Sequence, residues 1–292
     1  MTFLSQVVAP MIFVILWSSA FIAAKFGVAH VEPFTFLTTR FGFVTVIFAA
    51  MALAARAPWP RSPRAYFDIA VVGLFLHAFY LSSVFIAIRS GMPSGLVALV
   101  SGLQPVLTAV AAGLFLGEPP SARQWAGCFV GFAGMVLVLS DRISVEGVTM
   151  LGIGFSVLAL ISISFGTLYQ KRNAAEMNLL TGNAVMAATG CLVTLAGAAL
   201  FETMKLVWEP AFIGAFLWLS LAVSLGAFSL LMMLIKHGQA TKVASLFYLV
   251  PPTAAVMAYI AFGEEISILA GIGILVTAGG VAMVVLPQAK RA

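Results

Sequence analysis

The chain has little charge: Asp, Glu, Lys and Arg make up 9% of its 292 residues, where soluble proteins carry about 25%. Hydrophobic residues make up 62%. Fifteen basic and ten acidic side chains are too few to coat a water-soluble globule of this size. That scarcity excludes a soluble enzyme, a secreted disulfide scaffold and a nucleic-acid-binding protein. The net charge of +5 is informative only through where it falls. Cysteine is scarce as well, and Cys128 and Cys191 both lie inside apolar runs, which gives a disulfide framework no support. Residues 1–6 contain no Lys or Arg, so the first apolar run lacks the basic flank of a cleaved leader. There is no P-loop, no His-Glu-x-x-His and no Asp-rich diphosphate motif. ATP-driven pumping is therefore disfavoured, and no cofactor is expected.

What the chain does have is long apolar runs. A bilayer core needs about 20 apolar residues per helix. Ten runs qualify: 7–28, 33–54, 66–88, 92–116, 124–139, 150–170, 178–200, 211–234, 240–262 and 266–286. The connections are short and leave no room for a separate soluble domain. The runs are continuously apolar, not alternating, which argues against a membrane β-barrel. The fold expected is an all-α integral membrane protein of ten transmembrane helices.

The ten carboxylates are Glu32, Asp68, Glu118, Asp141, Glu146, Glu176, Glu202, Glu209, Glu264 and Glu265. Each falls at the end of a run or between runs, where a charge avoids the cost of the bilayer centre. Lys and Arg set orientation. The side holding both termini and the even-to-odd connections collects ten of them, from Arg56, Arg61 and Arg64 to Lys290 and Arg291. The other side collects four: Lys25, Arg89, Arg142 and Lys205. Arg40 lies within the second run. The bias places both termini in the cytoplasm of a bacterial inner membrane.

A shift of 146 residues lays the second half over the first. Gly117-Glu118 falls on Gly263-Glu264, Pro105 on Pro251, Gly127 and Gly134 on Gly273 and Gly280, Lys25 on Lys171, Ser18 on Ser164 and Ala98 on Ala244. Each match is weak alone, but one offset serves them all. Residues 1–146 and 147–292 then form two five-helix repeats. Because five is odd, the second enters the membrane inverted. Inverted repeats place a site near the midplane between the halves and open it to each side in turn.

These residues carry a resemblance. Trp17-Ser18-Ser19-Ala20-Phe21 with Lys25, Gln104-Pro105, Gly117-Glu118-Pro119, and Pro251 with Gly263-Glu264-Glu265 resemble the drug/metabolite transporter superfamily in its EamA-type branch. Within that branch the chain is most similar to the YddG-like exporters of aromatic amino acids. The resemblance covers essentially the whole chain. It implies a carrier of small metabolites, often outward, without a bound cofactor.

Pro105 near the centre of the fourth run, and Pro251-Pro252 near the centre of the ninth, remove backbone donors and break helices. In a membrane such breaks are tolerated where they line a cavity or are buried in protein, so they are expected as hinges. Candidate substrate contacts are Trp17 and Phe21, His77 and Tyr80, Ser101 and Gln104 (with Thr108 on the same stripe), Ser164, and Ser245, Phe247 and Tyr248. For the serines, ordinary interhelical hydrogen bonding, worth roughly 0.6 kcal/mol, is the competing reading. His77 has three open roles: holding a carboxylate, carrying a proton, or bonding a neighbouring helix. Lys25 has two, reaching a carboxylate or snorkelling to the surface.

No carboxylate falls at mid-membrane, so a permanently cationic substrate would lack a counter-charge. A neutral or zwitterionic molecule, such as an amino acid, fits better, its ring against Trp17, Tyr80, Phe247 or Tyr248. Partners expected are this small molecule and the lipid bilayer, with no nucleic acid. Gly127-x-x-x-Gly131 and Gly273-x-x-x-Thr277 permit close helix approach, within a functional monomer or at a dimer face. The rivals are an intramembrane Ser/His enzyme, for which no pattern fixes the required geometry, a channel, and a carrier of another metabolite class.

Overall fold

The computed structural model describes residues 3–27, 31–140, 148–263 and 265–286, with the side chains of residues 3–7, 21 and 24–27 set aside. The helices are α1 (Phe3–Gly27), then α2 (Pro33–Ala54), α3 (Pro63–Arg89), α4 (Ser94–Phe115), α5 (Ala122–Leu139), α6 (Met150–Asn173), α7 (Leu179–Phe201), α8 (Pro210–His237), α9 (Ala240–Phe262) and α10 (Ile268–Val285). Among the described residues, α2 to α10 are nine helical segments long and apolar enough to cross a membrane, while α1 contributes a shorter apolar stretch, Val8–Ala20. The chain is all-helical, as its continuous apolar runs require. The proposed division between residues 146 and 147 falls within the segment 141–147, outside the described residues.

Local chemistry starts several of these helices. Pro33 and Pro210 open α2 and α8, where a missing N–H costs nothing. Ser121 and Gln124 form a reciprocal capping box at α5, and Asn178 and Ser267 cap α7 and α10, supplying acceptors for otherwise orphaned N–H groups.

Two helix pairs form the scaffold, and both run antiparallel. Gly127, Gly131 and Gly134 of α5 lie against Gly280, Thr277 and Gly273 of α10, so closely that a Cβ on Gly134 or Gly280 would overlap backbone of the facing helix. The small-residue stripes seen in the sequence are thus used inside the chain. In the second pair, Glu202 at the end of α7 accepts from Phe34 N (2.8 Å), Thr35 N (2.6 Å) and Thr35 Oγ1 (2.8 Å) at the start of α2. At the other end of this pair, Thr181 donates to Pro58 O (3.0 Å). Glu32 in turn accepts from Thr203 N and Oγ1 (2.8 and 2.9 Å); the hydroxyl bond above all holds its carboxyl below the usual carboxylate range. Helices 146 residues apart in sequence therefore pack head to tail, which is the geometry of an inverted pair of halves.

The remaining helices repeat the relation. α1 packs on α8 and α9, α6 packs on α3 and α4, and α4 meets α9. Two irregularities are duplicated too. α4 breaks after Ser101 and restarts at Gln104-Pro105. α9 passes through a tight 3₁₀ stretch, Leu246–Leu249, and restarts at Val250-Pro251-Pro252. α3 and α8 each widen into a π-helical stretch, Leu74–Phe79 and Leu219–Ala227. Wide π turns commonly mark functional sites.

Candidate substrate site

The broken helices turn inward. Gln104, Pro105 and Thr108 of α4, and Ser245, Tyr248 and Pro252 of α9, are buried. Around them the centre of the molecule is filled by rings. Trp17 lies 5.4 Å from Phe13, 5.2 Å from Phe247 and 4.9 Å from Phe228, ring centre to ring centre. Phe228 continues to His77 (4.6 Å), and His77 to Phe41 (5.0 Å). This cluster joins α1, α2 and α3 of the first half to α8 and α9 of the second. Tyr248 is held in place by Gly131, whose missing Cβ leaves room for the ring.

The expected contacts other than Phe21 have definite places. Trp17, His77, Gln104 and Tyr248 are buried at the centre, and Phe247 is half-buried beside them. His77 sits within the α3 π stretch, while Tyr80 begins the regular helix beyond it. The wider turn separates the two around the axis more than a regular helical period would. Ser101 is half-buried just before the α4 break. The Ser245 hydroxyl donates to Lys242 O (2.8 Å) in its own helix, the local bonding that competes with a binding role. Ser164 is buried beside α4. Its counterpart Ser18 donates to Val250 O (3.2 Å), bracing the α9 break from α1. The side chains of Phe21 and Lys25 lie outside the described residues.

Buried polar atoms without partners occur in this region as they do elsewhere in the bundle, at Ser82, Ser162, Gln170, Asn183, Ser220 and Thr277. Gln104 Nε2, Tyr248 Oη, His77 Nδ1, Thr108 Oγ1 and Ser164 Oγ are buried and find no hydrogen-bond partner among the described residues. Leaving such a group unpaired costs about 1–3 kcal/mol, which stability alone does not justify. A ligand that supplies acceptors and donors would satisfy them.

Two grooves open elsewhere, and they correspond to each other across the halves. One, of about 520 Å³, lies between α1, α8 and α9 and includes Ser19, Ile22, Ala23, Met257 and Ala261. The other, of about 560 Å³, lies between α4 and α6 and includes Phe165, Leu168, Tyr169, Ala111 and Phe115, each 146 residues from its counterpart. Both are apolar and lateral. A hollow between the halves at the bent helices is the expectation from sequence; among the described residues, the rings of Phe13, Trp17, Phe247, Phe228, His77 and Phe41 pack on one another there.

One face is tied across the halves. Lys171 of α6 pairs with Glu118 Oε1 (2.7 Å) and also donates to Gly238 O. The other carboxylate oxygen accepts from Ala240 N (3.2 Å) at the start of α9. Among the described residues there is no cluster of His, Cys, Asp and Glu that would hold a metal ion.

The residue that sequence reasoning left unassigned is Arg40. It is buried in α2, where its Nε donates to Ser224 Oγ (3.0 Å) in the α8 π stretch. The signal was available: it is the one basic residue well inside the second apolar run.

Antiparallel five-helix halves, paired helix breaks and a central cluster spanning both halves define a membrane carrier. The pattern of the EamA-like transporter family matches residues 5–140 and 150–286, and the chain belongs to that family. It is 28% identical over 278 residues to the transporter YvbV of Bacillus subtilis (strain 168), covering 90% of this chain and 87% of that one. It is 27% identical over 255 residues to the inner membrane transporter YedA of Escherichia coli (strain K12), covering 87% and 81%. It is 23% identical over 269 residues to an E. coli K12 protein described as "Probable amino-acid metabolite efflux pump", covering 89% and 88%. A crystal structure 21% identical in sequence superposes with a TM-score of 0.83 over 100% of both chains, a likeness of fold. The family and these sequence relatives are described as transporters.

Proposed function

We propose that this membrane transporter exports amino acids and related neutral metabolites, aromatic ones among them, from the cytoplasm across a bacterial inner membrane. Residues 1–146 and 147–292 act as its two repeats and alternate access around the centre, with Pro105 and Pro251-Pro252 as hinges. The observation that carries the reading is a set of buried polar atoms without partners, Gln104 Nε2, Tyr248 Oη and His77 Nδ1, the last set between the Phe41 and Phe228 rings. Such a place suits a molecule with a ring at one end and polar groups at the other. The relative described as an amino-acid metabolite efflux pump supports the substrate class. The excess of Lys and Arg on the side of both termini supports the orientation.

Reconstitution into proteoliposomes tests it. Labelled phenylalanine should exchange saturably, and threonine should compete, both without an imposed pH gradient. Phenylalanine that fails to exchange removes the substrate assignment. Exchange that strictly requires a proton gradient removes the facilitator mechanism.

A further inference from the structure

Arg40 is a buried cation that the substrate reading above does not use. It stands seven residues into α2, about 10 Å from the helix start, and is 3% exposed. Its guanidinium stays charged at any physiological pH. Ser224 Oγ accepts from its Nε at 3.0 Å, and the Ser224 proton is directed to Leu219 O at 3.2 Å. The hydroxyl is therefore oriented by the α8 π stretch so that its oxygen faces the arginine. Among the described residues no carboxylate lies within ion-pair reach of Arg40, and no acceptor meets its two terminal nitrogens. The carboxylate nearest in sequence, Glu32, is engaged by Thr203 and Arg89. Of the other described carboxylates, Glu118, Glu176, Glu202, Glu209 and Glu265 lie between helices, and Asp68, near the start of α3, is engaged by Arg64 and Tyr169.

A charge buried this far is retained where it has an anion to meet. The planar fork of N–H donors matches a carboxylate with two parallel bonds. Its partner Ser224 stands four residues, about one turn, before Phe228 on α8, and the Phe228 ring belongs to the series Phe41, His77, Phe228, Trp17, Phe247. The cation is thus held within about a turn of the aromatic cluster, between a helix of each half.

We propose that Arg40 binds the substrate's carboxylate while the ring cluster takes its apolar body, so that a free carboxylate is required and an amino group is not. The inference rests on the export reading above and narrows its substrate class to aromatic carboxylates, with or without an ammonium group. The second clause follows because the one buried acid among the described residues, Asp68, is engaged by Arg64 and Tyr169 and would not hold an ammonium.

Three probes separate the groups: phenylalanine, phenylpropionate (no amine) and phenylalaninamide (no carboxylate). In proteoliposomes of the full chain, phenylalanine and phenylpropionate should both compete against labelled phenylalanine. Phenylalaninamide should be weaker by about a hundredfold, the scale of an unpaired buried charge. Arg40→Gln should weaken phenylpropionate by a similar factor and flatten the difference from the amide. Phenylalaninamide competing within about threefold of phenylalanine in the wild-type protein overturns the assignment. Should Arg40→Gln not accumulate in the membrane, the wild-type comparison of acid with amide decides alone. Should labelled phenylalanine not move at all, thermal stabilisation of the purified protein decides. Stabilisation by phenylpropionate and not by the amide supports Arg40 while the amino-acid reading falls; equal stabilisation by both, or by neither, sinks the Arg40 assignment.

Discussion

Two side chains at the centre show why burial and binding need different tests. Trp17 touches three other rings, so truncation to Ala would remove core as well as site, at about 3–5 kcal/mol, and lost transport would be ambiguous. Gln104 differs, because its Nε2 is buried with no partner. Replacing it with Leu removes an unpaired amide at nearly constant volume. We expect Gln104→Leu to leave the melting temperature in detergent unchanged or slightly raised, while phenylalanine exchange falls about tenfold, the loss of one polar contact. A parallel fall in both would return Gln104 to a structural role. Gln104 was legible as a candidate because a lone amide beside a proline stands out in an apolar run, and the structure adds its burial at the α4 restart. Arg40 was less so, since a sequence does not reveal which of α2's neighbours its side chain meets, and Ser224 is 184 residues away.

The helix boundaries followed from apolar length alone, and the breaks in α4 and α9 from proline, because both effects are local. The π stretches in α3 and α8 left no trace in the residue pattern. Leu-Phe-Leu-His-Ala-Phe would form a regular helix in isolation, and a π turn there depends on packing and not on propensity. The α5–α10 seam lies between these cases: glycine spacing announced close approach, and the facing helix was identified only in three dimensions. A Cβ on Gly280 would collide with backbone at Gly131, whereas one on Gly279 would meet nothing within 4 Å. Gly280→Ala should therefore destabilise by about 1–3 kcal/mol. Gly279→Ala should be neutral or stabilising by up to about 1 kcal/mol, since it only removes a flexible residue from a helix. Thermal unfolding in detergent compares them directly, and equal melting temperatures would mean the seam is looser than described.

Over the whole molecule, the Lys171–Glu118 pair joins the end of α4 to α6 and to the start of α9, spanning both halves on one face. If the halves rock, this tie must open in every cycle. The pair is partly exposed, 15% and 28% for the two side chains, so its worth is about 1 kcal/mol or less. Glu118→Gln and Lys171→Gln should each change the exchange rate by about fivefold or less. The exchanged pair, Glu118→Lys with Lys171→Glu, should recover only part of the change, because a lysine cannot accept from Ala240 N. Full recovery would reduce the tie to simple charge attraction, and no change in any variant would remove it from the cycle.

The position 146 residues beyond Arg40 is Met186, fully buried and set against the backbone of Gly73. A nearly twofold body thus carries a onefold charge. The conformations open to opposite sides of the membrane are then inequivalent in energy even before substrate arrives, and a substrate gripped by its anionic end would cross without tumbling, leaving with one end foremost on the way out and the other end foremost on the way in.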